Sequence, residues 1–216
     1  MVINLSEQNS LVSNWMSEIR SVDLQGDRMR FRRNVERIGE VCAYEISRTM
    51  EFTTQEFPTP LGYKELSVLK EQPVLATILR AGVPLHQGLL NYFDHADAAF
   101  IAAYRKYHKD GSFEIEQHYV TCPDLDNRIL IIADPMLATG ASLLLALDGL
   151  LEFGSPKLIY ICTVISCNEG IETVLRKYPD VAIWAGDIDD ELTAKGYIVP
   201  GLGDAGDLSY GNKLQF

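Results

Sequence analysis

The chain is short of positive charge. Its 216 residues carry 19 Lys and Arg against 30 Asp and Glu, a formal net charge of −11. Nucleic acid and anionic lipid are themselves polyanions, so an acidic surface repels both and disfavours a broad phosphate-tracking groove. Long apolar runs are missing as well. No stretch of about 18 uncharged apolar residues occurs, so no membrane span is expected. The opening MVINLSEQNSLVSNWM lacks a basic region followed by an apolar core. No secretion signal is therefore expected, and the expected location is cytoplasmic. Cysteine is sparse: Cys42, Cys122, Cys162 and Cys167 lie in or beside apolar segments without C-x-x-C spacing. That is the usage of small buried thiols in a reducing compartment. Cys162 and Cys167 are separated by an odd number of residues in a strand pattern, which predicts side chains on opposite faces. His86, His95, His108 and His118 show no zinc spacing. Trp15 and Trp184 read as core or interface residues.

What remains is ordinary globular material, 47% hydrophobic and 23% charged, enough for a substantial core. Apolar residues at Val35, Ile38, Cys42 and Ile46 predict a helix across Asp27 to Met50. Its arginines, Arg28, Arg30, Arg32, Arg33 and Arg37, read as a solvated face or a subunit contact. Thr53 to Leu61 holds Pro58 and Pro60, so it reads as extended, an edge or a loop. From Val74 onward strands and helices alternate. Strands are predicted over Val74–Leu79, Ala98–Tyr104, Ile129–Ala133, Leu158–Ser166 and Val181–Ala185. Helices are predicted over Pro84–Phe93, Ser142–Phe153 and Glu169–Tyr178. Continuous apolar strands separated by helices imply an α/β fold with a mostly parallel central sheet covered by helices. Asp110-Gly111 between two β-like stretches predicts a projecting β-arm over residues 104–120. The whole chain, 1–216, reads as one domain, with residues 1–26 as an N-terminal extension and 187–216 as a glycine-rich tail.

The most informative stretch is RILIIADPMLATGASLLLAL, residues 128–147. An apolar strand ends in Asp134. After Pro135, Met136, Leu137 and Ala138, the small residues Thr139, Gly140, Ala141 and Ser142 lead into a helix. Ligands of parallel sheets bind outside the carboxyl ends of the strands. The backbone N–H groups at a helix start are unpaired and favour an anion, provided side chains leave room. Asp134 would then meet Mg²⁺ or ribose hydroxyls. The stretch lacks the Gly-Lys-Ser ending of a Walker loop, and a strand end followed by a helix cap would explain it too. Two further strand ends carry arginines, Arg80 in ILRAG and Arg105 in AYR. Guanidinium matches phosphate in a bidentate way.

DPMLATGAS resembles the phosphoribosyl-pyrophosphate (PRPP) loop of type I phosphoribosyltransferases, in the Pro-Met-Leu form of the uracil phosphoribosyltransferase family. ILRAG, YR and YIVPGLGDAGD recur in the order that family has them, so the resemblance runs from about Arg28 to Gly211. It implies the type I phosphoribosyltransferase fold with a C-terminal base-binding loop region. It implies a PRPP site made of Arg80, Arg105, Asp134 to Ser142 and Asp204. Of these, Asp134, Arg105 and Asp204 are the candidates for a catalytic role. It implies a uracil site made of Ile198, Gly203, Asp204 and Ala205. Two positions depart from the common pattern: Ala141 stands for a second glycine, and Lys106 follows Arg105 in place of a neutral polar residue. Thr53 to Glu71 and Lys109 to Asp124 match weakly and carry nothing over.

The reaction so implied is uracil plus PRPP giving UMP and pyrophosphate, in pyrimidine salvage. Mg²⁺ is the implied cofactor, carried mainly by PRPP, with no protein metal ligand assigned. GTP is an implied effector and a homodimer or higher homo-oligomer the implied assembly. Nucleic acid and membrane are not expected partners. Three other readings stay open on the residues alone: a phosphoribosyltransferase for another base, a phosphoribosyltransferase-like regulator that senses UMP and binds RNA, and a catalytically silent nucleotide-binding module. The acidic charge weighs against the regulator, although the Arg28 to Arg37 cluster keeps it in view.

Overall fold

The computed structural model describes residues 1–107 and 113–213, with the backbone alone between 103 and 118. The chain runs β1 (Val2–Asn4), α1 (Leu11–Arg20), α2 (Arg28–Ser47), β2 (Phe52–Thr59), β3 (Gly62–Leu69), β4 (Val74–Leu79) and α3 (Gly82–Leu90). It continues through β5 (Asp97–Tyr107), β6 (Phe113–Thr121), β7 (Ile129–Ala133), β8 (Met136–Leu137), α4 (Ala141–Leu150), β9 (Leu158–Cys167) and α5 (Asn168–Lys177). The last elements are β10 (Ala182–Asp189), β11 (Glu191–Leu192), β12 (Ile198–Val199) and α6 (Ala205–Tyr210).

The central sheet has the order β1-β10-β9-β7-β4-β5-β6, with β8 added beside β9. Every pairing in it is parallel except β5 with β6. Alternate residues of one strand feed two layers. Ile129 and Ile131 join the core made with α1, α2 and α3, whereas Leu130 and Ile132 join the core made with α4 and α5. A strand apolar at every position is what a sheet covered on both faces requires. Chain direction reverses about β4: β5 and β6 lie to one side, and β7 returns to the other. The crevice outside the carboxyl ends of β4 and β7 is therefore a topological switch point, where open sheets take their ligands.

Some expectations hold and others need correction. Residues 1–26 are no appendage: β1 pairs with β10 at the sheet edge, and Val12, Met16 and Ile19 of α1 are buried in the main core. Asp27 caps α2 by accepting the Arg30 N–H at 3.0 Å. The segment around Pro58 and Pro60 is the first half of a separate two-stranded antiparallel hairpin, β2 with β3. The arm expected over 104–120 is present as the antiparallel pair β5–β6, which runs on past the last β4 partner at Ala102; the turn expected at Asp110-Gly111 lies outside the described residues. β10 runs on through Gly186 to Asp189 where the apolar pattern stops, and its two carboxylates there are met by Arg20.

Cys162 and Cys167 do not face opposite layers; both join the same core cluster. The cause is a bulge in β9. The Val164 and Ile165 N–H groups both donate to the Pro135 carbonyl, at 3.1 and 3.0 Å. Two residues opposite one acceptor shift the alternation by one. The Thr163 and Ser166 hydroxyls, three residues apart, accordingly share a hydrogen bond of 2.7 Å. Cys42 lies against Cys162, and burial, with Cys42 adding to it, pushes the Cys162 thiol well up.

Candidate active site

One cavity of about 360 Å³ opens at the switch point. Arg80 and Ala81, just after β4, form one wall, and Asp134, Pro135 and Met136, just after β7, form another. Ala138 and Ser142 close the floor, and Gly203, Asp204, Ala205 and Gly206 of the tail close the far side. A smaller cup beside it is lined by Asp134, Met136 to Gly140, Ser142 and Leu143.

The loop between β7 and α4 is built to leave backbone exposed. Its strand end is tied down by the Asp134 N–H donating to the Cys162 carbonyl at 3.1 Å. Gly140 sits at φ +84° as the N-cap residue of α4 and offers no side chain to the helix end. That backbone region is unfavourable for residues with a Cβ. A Cβ on Gly140 would also press the Gly170 carbonyl at 3.2 Å. Ser142 and Leu143 precede the donor of the first intrahelical hydrogen bond, the Leu144 N–H, which donates to the Gly140 carbonyl at 2.9 Å. Their N–H groups, with the helix dipole behind them, face outward as an anion cradle would.

The tail reaches the same place from the far end of the sheet. After β10, the β11–β12 hairpin carries Gly196 and Tyr197 to the cavity rim. A Cβ on Gly196 would touch the Thr139 methyl at 3.4 Å, so tail and loop are neighbours. Asp204 caps α6 by accepting the Asp207 N–H at 3.0 Å, and its other oxygen accepts from Lys213 Nζ at 2.9 Å. Burial on its own would raise the Asp204 pKa; the Lys213 and backbone hydrogen bonds outweigh it and hold the carboxyl below its ordinary value. Arg80 donates to Asp207 and to the Gly211 carbonyl, each at 3.4 Å. Arg32 of α2 donates to the Ser209 carbonyl at 2.6 Å and lies over the Tyr210 ring.

The structure thus brings Arg80, Asp134, Pro135, Met136, Ala138, Ser142, Gly203, Asp204 and Ala205 to one cavity. Leu137, Thr139 and Gly140 lie on the adjoining cup, and Ala141 starts the helix behind it. Ile198 stands apart: its side chain is buried in the core and takes no part in the lining. Arg105 lies on β5, but its side chain is outside the described residues. Lys213 was not foreseen. It lies past the last recognisable motif, and its only sequence signal is a lone cation in an acidic tail. The arginine cluster of α2 also resolves. Arg30 pairs with Glu18, Arg33 with Glu36 and Glu40, and Arg37 lies over Trp15. Four of its five arginines, Arg30, Arg32, Arg33 and Arg37, are thus engaged within the chain.

The uracil phosphoribosyltransferase family model matches residues 6–212. A uracil phosphoribosyltransferase of Porphyromonas gingivalis is 50% identical over 99% of both chains. That of Pyrococcus furiosus is 36% identical over 97% of this chain and 90% of its own. Among solved structures, the AQ2163 protein of Aquifex aeolicus superimposes with a TM-score of 0.86 at 30% identity, covering 98% of both chains. A hypoxanthine phosphoribosyltransferase of Staphylococcus aureus, at 14% identity and a TM-score of 0.50 over 86% of this chain and 84% of its own, shares the fold alone. With that match across nearly its whole length, the chain belongs to the uracil phosphoribosyltransferase family.

Proposed function

We propose that this chain transfers the phosphoribosyl group of PRPP to N1 of uracil, giving UMP and pyrophosphate, and that the cavity between the switch point and the tail is where it does so. One observation carries the site: residues of the β7–α4 loop and of the distant tail line a single cavity. UMP has a phosphate at one end and a base at the other, and such a cavity suits it.

In this reading the N–H groups of the Thr139 to Ser142 segment receive the 5′-phosphate. Asp134 accepts from the ribose hydroxyls. Arg80 and Arg105 meet the pyrophosphate, whose charge grows as the C1–oxygen bond breaks and N1 bonds to C1, the N1 proton leaving to the pyrophosphate or to water. Holding the two substrates in line and neutralising the leaving group are the main tasks. Gly203, Asp204 and Ala205 hold uracil with backbone groups, and Ile198 supports them from the core. Asp204 sits between base and sugar, its oxygens held by Lys213 and by the α6 backbone.

Mg²⁺ takes one or two protein carboxylates together with substrate oxygens and water. Asp134 and Asp204 offer that donor chemistry at the cavity. Among the described residues no cluster of three or more ligating side chains forms a closed metal site. The two carboxylates would suit an ion that brings its remaining oxygen ligands with PRPP and water. It would supply positive charge to the pyrophosphate.

A homodimer or higher homo-oligomer accords with the β2–β3 hairpin, where Leu61 is fully exposed and Tyr63 is 73% exposed. Among the described residues no helix is long and apolar enough to cross a membrane; a cytoplasmic location rests on the family reading. GTP stays an effector to be tested.

The test is a turnover assay with labelled uracil, PRPP and Mg²⁺, with and without GTP. UMP and pyrophosphate should form only when PRPP and Mg²⁺ are both present. PRPP consumption with another base and none with uracil would contradict the reading.

A further inference from the structure

Arg20, the last residue of α1, is one of the most heavily engaged cations among the described residues; it does not line the cavity and belongs to no recognised motif. Its Nη1 donates to Asp189 at 2.9 Å and to the Gly201 carbonyl at 3.0 Å. Its Nη2 donates to Asp187 at 2.7 Å and to Asp189 at 2.8 Å. The group is sheltered: Asp189 is 8% exposed and Arg20 20%. Asp189 also accepts the buried Gly201 N–H at 2.8 Å. Both polar groups of one residue, Gly201, are therefore held by a single ion pair. Burial opposes charge on Arg20, and its hydrogen bonds to Asp189 and Asp187 more than restore it.

Gly201 is two residues from Gly203, where the tail meets the cavity. Nearby, Gln25 donates to the Ile19 and Arg20 carbonyls, at 3.3 and 3.0 Å. Its Oε1 lies 4.0 Å from where a Cβ on Gly203 would sit. The end of α1 thus approaches the tail loop at two points. Tail loops with few side chains have little packing of their own to fix them, and a backbone that reads a base must be held to a fraction of an ångström.

We propose that Arg20, through Asp189 and Asp187, is a positioning residue for uracil, fixing the Gly201–Gly203 backbone at the height the base requires. The proposal rests on the reading that the tail holds uracil. It assigns Arg20 no contact with either substrate and no part in PRPP binding. The bidentate, three-acceptor geometry needs a guanidinium; an ammonium can serve only part of it.

The test uses Arg20→Lys, Arg20→Met and, as a separate probe of the tail, Gly203→Val in the full-length enzyme. Steady-state KM is measured for uracil and PRPP, with PRPP affinity measured directly. Arg20→Lys keeps a cation beside Asp189 and guards against loss of the fold. It should raise KM for uracil several-fold, and Arg20→Met about tenfold or more, the scale for a sheltered charged partner removed. PRPP affinity should stay within about twofold of the parent in a protein with an unchanged circular dichroism spectrum. A rise in KM for uracil with Gly203→Val but not with either Arg20 variant would overturn the proposal and leave the tail reading standing. No rise with Gly203→Val would sink the tail reading itself. Equal losses of uracil and PRPP affinity in Arg20→Lys would reduce Arg20 to a fold-stabilising residue and overturn the proposal too.

Discussion

Two carboxylates reach the cavity, and their surroundings separate their tasks. Asp134 closes an apolar strand, and its own N–H is fixed to the Cys162 carbonyl. Asp134→Asn should keep the fold and lower kcat/KM by about 100-fold, the scale of one preorganised polar contact at a reacting centre. Unchanged turnover would assign Asp134 to structure. Asp204 is held charged by Lys213 and the α6 backbone. Its folded pKa lies below its unfolded value, so its contribution is present above the unfolded pKa and disappears as pH falls through the folded one. The pair is partly exposed, Asp204 35% and Lys213 40%, so its share is only ~0.2–1 kcal/mol. Asn caps helices nearly as well as Asp but cannot attract Lys213. Wild type should therefore melt above Asp204→Asn at neutral pH, and the gap should close in acid. A gap that widened in acid would contradict this account.

At the scale of elements, the loop and the tail do different work with the same device, backbone left open by small residues. Gly140 at φ +84° is where the loop turns into α4. Gly140→Val forces a β-branched residue into that region, a strain of about 1–3 kcal/mol, and should weaken PRPP binding more than uracil binding. Gly203, at φ +94° with Gln25 Oε1 4.0 Å from where its Cβ would sit, should show the opposite order when changed to Val. The tail also predicts discrimination. A buried N–H aimed at uracil O4 would be left facing the amino group of cytosine, and such mismatches cost factors of about 10⁴. Cytosine turnover within tenfold of uracil would contradict backbone readout.

These elements were unequally legible in the sequence. β7 and β4 were readable to the residue because a two-sided strand writes its burial into every position. β1 was not, since three residues of mixed burial carry no period. The end of β10 was hidden by Asp187 and Asp189, whose partner Arg20 lies at the other end of the chain and leaves no local mark. The bulge in β9 depends on a carbonyl of a neighbouring strand end, Pro135. No property of β9 itself announces it. The site followed the same rule. The residues of local motifs, from Asp134 to Ser142 and from Gly203 to Ala205, lie at or beside the cavity, whereas Lys213 and Arg20 reach their places only through tertiary contacts that no local pattern marks.

For the whole molecule, the acidic surface and the basic cavity residues set the choice of partner. The net charge is −11, and four of the five arginines between Arg28 and Arg37 that could have formed an RNA-binding face are engaged within the chain. The chain should not retard single-stranded RNA on a gel at physiological salt, where nonspecific RNA binding depends on free basic groups. A UMP-dependent shift would revive the regulator reading. The central claim is that loop and tail form one site for the two ends of one molecule. A crystal structure with UMP tests it most directly. The 5′-phosphate should lie on the N–H groups of Thr139 to Ser142, with the uracil ring against Gly203 to Ala205. UMP with its base away from the tail, or its phosphate away from the loop, would contradict the account.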